Sequence, residues 1–108
     1  MQILTRQAEN ATILDVVGNI DVHNSPEMRK ALLENLKRTA RLIVNLEKVP
    51  YIDTSGVASL VEGLKESRSL KNRLIVTGLS PMARRVFELT QLTSVFEIYE
   101  NEEQALKA

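Results

Sequence analysis

The sequence predicts an α/β fold in which about four helices cover a mixed β-sheet, with an opening antiparallel hairpin followed by parallel strands. Three observations support this expectation. Two short alternating runs open the chain with Glu9 and Asn10 between them, which is typical of a hairpin. Helical and β-branched segments then alternate to the end of the chain. Strand–helix–strand units of this kind favour parallel pairing, since the helix carries the chain back across the sheet.

Five segments predict strands, and the later ones are short β-branched runs of the kind that fills a buried strand. In chain order the strands are residues 3–7, 12–17, 41–46, 73–78 and 95–99. The first helix, residues 25–38, starts with a capping hydroxyl on Ser25 and a proline at its first position. The second helix follows the sequence DTSG and runs to about residue 70. The third begins at Ser80, and residues 101–107 predict a short closing helix.

Size and composition suit one domain, residues 1–108, with a single core, since 44% of the residues are hydrophobic. The 14 basic and 14 acidic side chains cancel, so we expect no broad nucleic-acid surface. The chain has no cysteine and one histidine, so we expect no metal centre and no cofactor. No apolar run approaches the roughly 18 residues of a membrane span, and no signal peptide is visible. A cytoplasmic protein that does not insert into a membrane is therefore expected.

The junction between the third strand and the second helix concentrates polar groups at Asp53, Thr54 and Ser55. It lies at the carboxyl end of a strand, where sites gather in open α/β sheets, and residues 18–21 and 78–80 open on the same edge. All three side chains are good helix caps, so one interpretation is that they only cap the helix. One cap is enough, however, and the alternative is that one of the hydroxyls is modified. The residue types leave both interpretations open.

The second helix also carries a strip with almost no side chain, formed by Gly56, Ser59 and Gly63. Glycine inside a helix costs up to about 1 kcal/mol relative to alanine, so the strip needs a reason. Close packing on a neighbouring helix is one reason. A flat surface that receives a partner beside the hydroxyls is the other.

Enzymatic activity is not expected, and no catalytic residue is assigned. A nucleophilic serine needs a base, and His23 is the single histidine. Ser55 does not lie in a Gly-x-Ser-x-Gly elbow, and neither a phosphate loop nor a dinucleotide motif is present. Aspartic proteases also contain Asp-Thr-Ser-Gly, but they need two such aspartates and this chain offers one.

The same junction resembles a known family. The run YIDTSGVASLV is similar to the signature of the STAS domain, the fold of bacterial anti-sigma-factor antagonists. Three further segments resemble the family. GNIDVHNSPEMRKAL is similar to its Gly-Glu-Ile/Leu-Asp segment with the first helix, and LIVNLEKV is similar to its central strand. LIVTGLSPMARRVFELTQL is similar to its later strand followed by an Arg-x-x-Phe helix. The resemblance covers nearly the whole chain and implies a STAS-like mixed sheet.

The resemblance implies a switch between partners. In the family, the unphosphorylated antagonist binds an anti-sigma factor that is also a serine/threonine kinase, which frees sigma for transcription. The kinase then phosphorylates the hydroxyl directly after the loop aspartate, and the antagonist is released. A phosphatase is a further implied partner, and we expect a monomer or a weak dimer. The implied acceptor is Thr54, with Ser55 as the alternative, and the implied partner-binding residues are Asp21, Asp53, Thr54, Ser55, Gly56, Ser59 and Gly63.

Three residues depart from the family pattern. Thr54 replaces the commoner serine, Asn19 replaces the usual glutamate, and Gln91 stands where a glycine often ends the third helix. They leave the expected fold unchanged but not the branch of the family, and two other functions stay open. One is an adaptor subunit of a membrane ABC lipid-transport system or of a stress-signalling complex, in which the same surface contacts a fixed partner. The other is an unrelated small α/β domain with ligand-binding or enzymatic activity.

Overall fold

In the computed structural model, which describes residues 1–108, a five-stranded sheet lies between helices on both faces. The elements are β1 (Gln2–Ala8), β2 (Ala11–Val17), α1 (Ser25–Leu36), β3 (Arg41–Lys48), α2 (Thr54–Leu70), β4 (Arg73–Thr77), α3 (Pro81–Leu89), β5 (Glu97–Tyr99) and α4 (Glu102–Lys107). The strands lie side by side in chain order. The β1–β2 pair is antiparallel and all other pairs are parallel. The predicted mixed sheet with four helices is confirmed.

The larger part of the core lies between one face of the sheet and helices α1, α2 and α3. Alternate residues of each strand face this side, as the two-residue period of a strand requires. The predicted apolar stripe of α1, formed by Met28, Leu32 and Leu36, is fully buried there. Phe87 of α3 and Phe96 pack edge to face, with ring centroids 5.5 Å apart.

The other face of the sheet is covered by α4 alone. Ile13, Ile43 and Ile75 lie next to one another on three neighbouring strands, and Ala105 of α4 packs on them. The Arg41 side chain donates to the last carbonyl groups of α4 and so holds this short helix in place. None of the four helices has both the length and the apolar character needed to cross a membrane.

The start of α1 differs from the prediction. Ser25 is the first helical residue and is buried, so it is not the cap. Asn24 precedes the helix, but its side chain does not cap it either, because its Oδ1 accepts the Asp21 N–H at 2.9 Å. The Ser25 side chain, which the sequence predicted to cap the helix, is therefore buried, and the Asn24 side chain forms a hydrogen bond within the preceding loop.

Two other ends also differ. Helix α1 ends at Leu36 rather than at residue 38. Strand β5 begins at Glu97 rather than at Val95, because the N–H groups of Val95 and Phe96 both donate to the Leu92 carbonyl and form a turn there.

Gln91, the departure at the end of α3, has a φ of 60°. This left-handed conformation costs a residue with a Cβ about 1–2 kcal/mol, and it explains why glycine is common at this place. We expect Gln91→Gly to raise the free energy of unfolding by about 0.5 kcal/mol, because the gain is partly offset by the flexibility of glycine in the unfolded chain. Chemical denaturation measures the change. The control is Glu88→Gly within α3, which should lose about 1 kcal/mol; equal losses in both variants would contradict the argument.

Candidate functional site

The loops that follow β2, β3 and β4 meet at one edge of the sheet, here named the carboxyl rim (residues 18–24, 49–53 and 78–80). Ile20 and Ile52 form an isolated parallel bridge between the first two loops. The Asp53 N–H donates to the Ile20 carbonyl at 3.1 Å, and the Ser80 hydroxyl donates to the Pro50 carbonyl at 3.2 Å. The structure therefore brings together the three segments that the sequence placed at the same edge.

Asp53 is the cap of α2. One carboxylate oxygen, Oδ1, accepts the N–H groups of Ser55 and Gly56 at 3.0 and 3.1 Å and also the Ser55 hydroxyl. Partial desolvation raises the pKa of Asp53, but the hydrogen bonds from the Ser55 hydroxyl and from the backbone N–H groups of Gly56, Ser55 and Val22 outweigh it and lower the pKa below its ordinary value. Asp53 is thus a fixed negative charge at the positive end of a helix dipole.

Thr54 and Ser55 differ in how they use their hydroxyls. Thr54 is the exposed first residue of α2, and its hydroxyl makes no hydrogen bond within the chain. Ser55 is half-buried, and its hydroxyl donates to Asp53. Of the three candidate caps, Asp53 alone caps the helix, which leaves the Thr54 hydroxyl free for another role.

Asp21 lies on the loop after β2, and its carboxylate shapes that loop. Its Oδ1 accepts the N–H groups of His23 and Asn24 at 2.9 and 3.2 Å. The backbone bond from Asp53 to Ile20 joins this loop to the start of α2, so two aspartates lie on neighbouring loops of the rim. No group of three or more His, Cys, Asp or Glu side chains lies close enough together to hold a metal ion.

The strip on α2 packs against the protein itself, so the close-packing interpretation describes the structure. Its three residues are buried; they are Gly56, Ser59 and Gly63. The Ser59 hydroxyl lies 3.2 Å from the Ser25 carbonyl of α1, and a methyl group on Gly63 would lie 3.3 Å from Leu32 of α1. The interpretation of these residues as an open surface for a partner is therefore wrong for this structure, because α1 and the rim loops occupy the space beside them.

Sequence reasoning missed three exposed apolar side chains at the rim. They are Val22, Tyr51 and Met82, with exposed fractions of 63%, 41% and 55%. Isolated exposed apolar residues are common, but Val22 and Tyr51 lie on two rim loops, and Met82 lies in the first turn of α3, directly after the third rim loop. The available signal was Val22, a single apolar residue between Asp21 and His23. Together they add an apolar component to a rim that otherwise presents carboxylates and a hydroxyl.

The mixed five-stranded sheet and the exposed Thr54 hydroxyl after Asp53 agree with one family of proteins. Residues 2–105 match the family described as the STAS domain, and the chain belongs to this family. The anti-sigma-B factor antagonist of Listeria monocytogenes is 31% identical over 99 residues, which cover 91% of this chain and 86% of that protein. The anti-sigma-B factor antagonist of Staphylococcus aureus strain NCTC 8325 is 33% identical over 89 residues, 82% of each chain.

Solved structures share the fold. An anti-sigma factor antagonist from Mycobacterium paratuberculosis superposes with a TM-score of 0.90 at 21% identity and covers 98% of this chain and 91% of that one. The anti-sigma factor antagonist SpoIIAA in its unphosphorylated form has a TM-score of 0.82, also at 21% identity, with 98% and 94% covered. At these identities the structures show a common architecture, and the site has to be argued from the residues of this chain.

Proposed function

We propose that the protein is an anti-sigma-factor antagonist controlled by phosphorylation of Thr54. Its unphosphorylated form binds an anti-sigma factor that is also a serine/threonine kinase, and the phosphorylated form releases it. The observation that carries the proposal is the exposed Thr54 hydroxyl without a partner, beside a Ser55 hydroxyl that is already bonded. The relatives named anti-sigma-B factor antagonists support the class of partner. SpoIIAA, solved in an unphosphorylated and a phosphorylated form, supports the type of control.

The carboxyl rim supplies the contact surface for such a partner. Val22 and Tyr51 on the rim and Met82 next to it are exposed apolar side chains, and their burial by a partner favours binding by about 25 cal/mol per Å². The rim loops are joined by backbone hydrogen bonds, so the surface is present before binding and little ordering is needed.

A phosphate on Thr54 would act through charge and bulk. It adds about −1.5 to −2 charge and three acceptor oxygens. The N-terminus of α2 tolerates that charge within the domain, because the helix dipole is positive there. Inside an interface, beside the charged Asp53, like charges cost several kcal/mol, and about 1.4 kcal/mol is tenfold in affinity. A loss of about a hundredfold or more follows without a change of fold, and a phosphatase would reverse it.

The test is to capture the partner from the native lysate, incubate it with the protein and ATP, and map the phosphate by peptide mass spectrometry. We expect one phosphate per chain, on Thr54. The control variant Thr54→Val keeps the shape of the side chain without the hydroxyl and should stay unmodified. A phosphate mapped outside Thr54 and Ser55 would refute the site. A captured transporter ATPase subunit with no phosphate on Thr54 would instead support the adaptor alternative.

A further inference from the structure

Ser55 is held at three atoms. Its N–H and its hydroxyl both donate to the same oxygen of Asp53, and its carbonyl accepts the Ser59 hydroxyl at 3.2 Å. The residue is half-buried in the first turn of α2, one position after the exposed Thr54. The two adjacent hydroxyls therefore differ: the Ser55 hydroxyl is hydrogen-bonded within the domain, and the Thr54 hydroxyl is not.

We propose that Ser55 is a positioning residue, which fixes the Asp53 carboxylate over the start of α2 and thereby withdraws its own hydroxyl from phosphorylation. The first half of this inference stands on geometry alone. The second half, the choice of Thr54 as acceptor, rests on the proposed function.

The choice of acceptor follows from the requirements of phosphoryl transfer. The acceptor hydroxyl has to approach the γ-phosphorus in line and release its proton to a base of the kinase. The Ser55 proton is directed at Asp53 instead. The Asp53 carboxylate accepts the Ser55 N–H and the Ser59 hydroxyl donates to the Ser55 carbonyl, and these two bonds keep the residue in the helix. The low pKa of Asp53 makes it a weak base, so it holds the Ser55 proton without removing it. Modification of Ser55 would require the first turn of α2 to open.

The role of Ser55 also differs from that of a cap. Asp53 caps the helix through the N–H groups of Ser55 and Gly56, which a substitution of the Ser55 side chain leaves in place. The hydroxyl adds a third donor to the same carboxylate oxygen. Hydrogen bonds rather than neighbouring charges lower the pKa of Asp53, although Asp21 and His23 lie on the adjacent loop. Loss of the Ser55 hydroxyl should therefore raise the pKa of Asp53.

The first experiment needs no partner. The side-chain carboxyl carbon of Asp53 is titrated by NMR in the unaltered protein, in Ser55→Ala and in Ser55→Thr. We expect the pKa of Asp53 to rise in Ser55→Ala and to return to the unaltered value in Ser55→Thr, which restores the hydroxyl. The Asp15 carboxyl, which bonds to Arg6 and Asn45 and not to Ser55, serves as an internal control, and its lowered pKa should be the same in all three proteins. An unchanged pKa of Asp53 in Ser55→Ala would overturn the positioning role.

The second experiment tests the acceptor, with ATP and the kinase captured by the unaltered protein. In Thr54→Val, phosphate incorporation should fall to less than a tenth of the unaltered rate, with none transferred to Ser55. Phosphorylation of Ser55 at a comparable rate would overturn the withdrawal of its hydroxyl. If the unaltered protein takes up no phosphate, the proposed function fails, whereas the NMR titration still decides whether Ser55 positions Asp53.

Discussion

Thr54→Glu is expected to bind the proposed partner, an anti-sigma factor with kinase activity, about a hundredfold more weakly than the unaltered protein while remaining at least as stable. The glutamate places a negative charge beside Asp53 at the rim, where like charges in an interface cost several kcal/mol. The same charge lies at the first position of α2, where the helix dipole adds about 0.3–1 kcal/mol of stability. Isothermal titration calorimetry gives the affinity, and thermal unfolding gives the stability.

Two variants serve as controls for this result. Thr54→Ala should keep the affinity, escape release by the kinase reaction, and lose less than about 0.5 kcal/mol of stability, since Asp53 and not Thr54 caps the helix. Ser69→Glu adds the same charge at the exposed far end of α2 and should leave the affinity unchanged. Equal affinities for Thr54→Glu and Thr54→Ala would argue against a switch at this residue.

Gly56→Ala is expected to lower the free energy of unfolding by about 2 kcal/mol. The added methyl group would lie 2.6 Å from Cγ1 of Ile52 and 2.7 Å from Cγ2 of Ile20. Both isoleucines are fully buried and form the bridge between two rim loops, so neither can move aside cheaply. Overpacking of this kind costs about 1–3 kcal/mol, and the contacts here are at the severe end. The better helix propensity of alanine offsets up to about 1 kcal/mol.

Gly63→Ala is the matched control for Gly56→Ala, on the same face of α2. Its methyl group would meet Leu32 at 3.3 Å and Leu74 at 3.5 Å, which small shifts of side-chain methyl groups relieve. The gain in helix propensity should cancel this strain, so we expect a change within about 0.5 kcal/mol in denaturant unfolding. Similar losses at both glycines would mean that the rim contact has no special weight.

The sequence predicted the fold because local patterns and fold agree along most of this chain. The β-branched runs, the Ser80 cap with the proline after it, and the spacing of the α1 stripe are signals that depend on a few neighbouring residues. Two of the three ends that differ depend on contacts made elsewhere. The Asn24 side chain is used by the loop before α1, and a turn at Leu92 delays β5. Such competition is invisible to a pattern of apolar and polar residues.

The candidate site was predicted in position but not in the roles of its residues. The sequence placed Asp53, Thr54 and Ser55 at the rim, and residue types alone could not show which one caps the helix. Distances decide that question. Distances were also needed for Gly56. A glycine in a helix indicates a close neighbour, but the sequence does not show whether that neighbour is a partner or the protein's own core.

The order of the strands in the sheet is also their order in the chain, which has a consequence for synthesis on the ribosome. Each emerging strand meets an edge that the preceding strand has already formed, so the domain can grow from its N-terminus without waiting for a distant segment. The loop that carries Thr54 then acquires its neighbours in sequence. Ile20 is present before Ile52 appears, and Ser80 adds the last bond, to Pro50. While Ser80 is still inside the ribosomal exit tunnel, the nascent chain therefore has an incomplete rim. Such a chain should not yet bind the proposed partner.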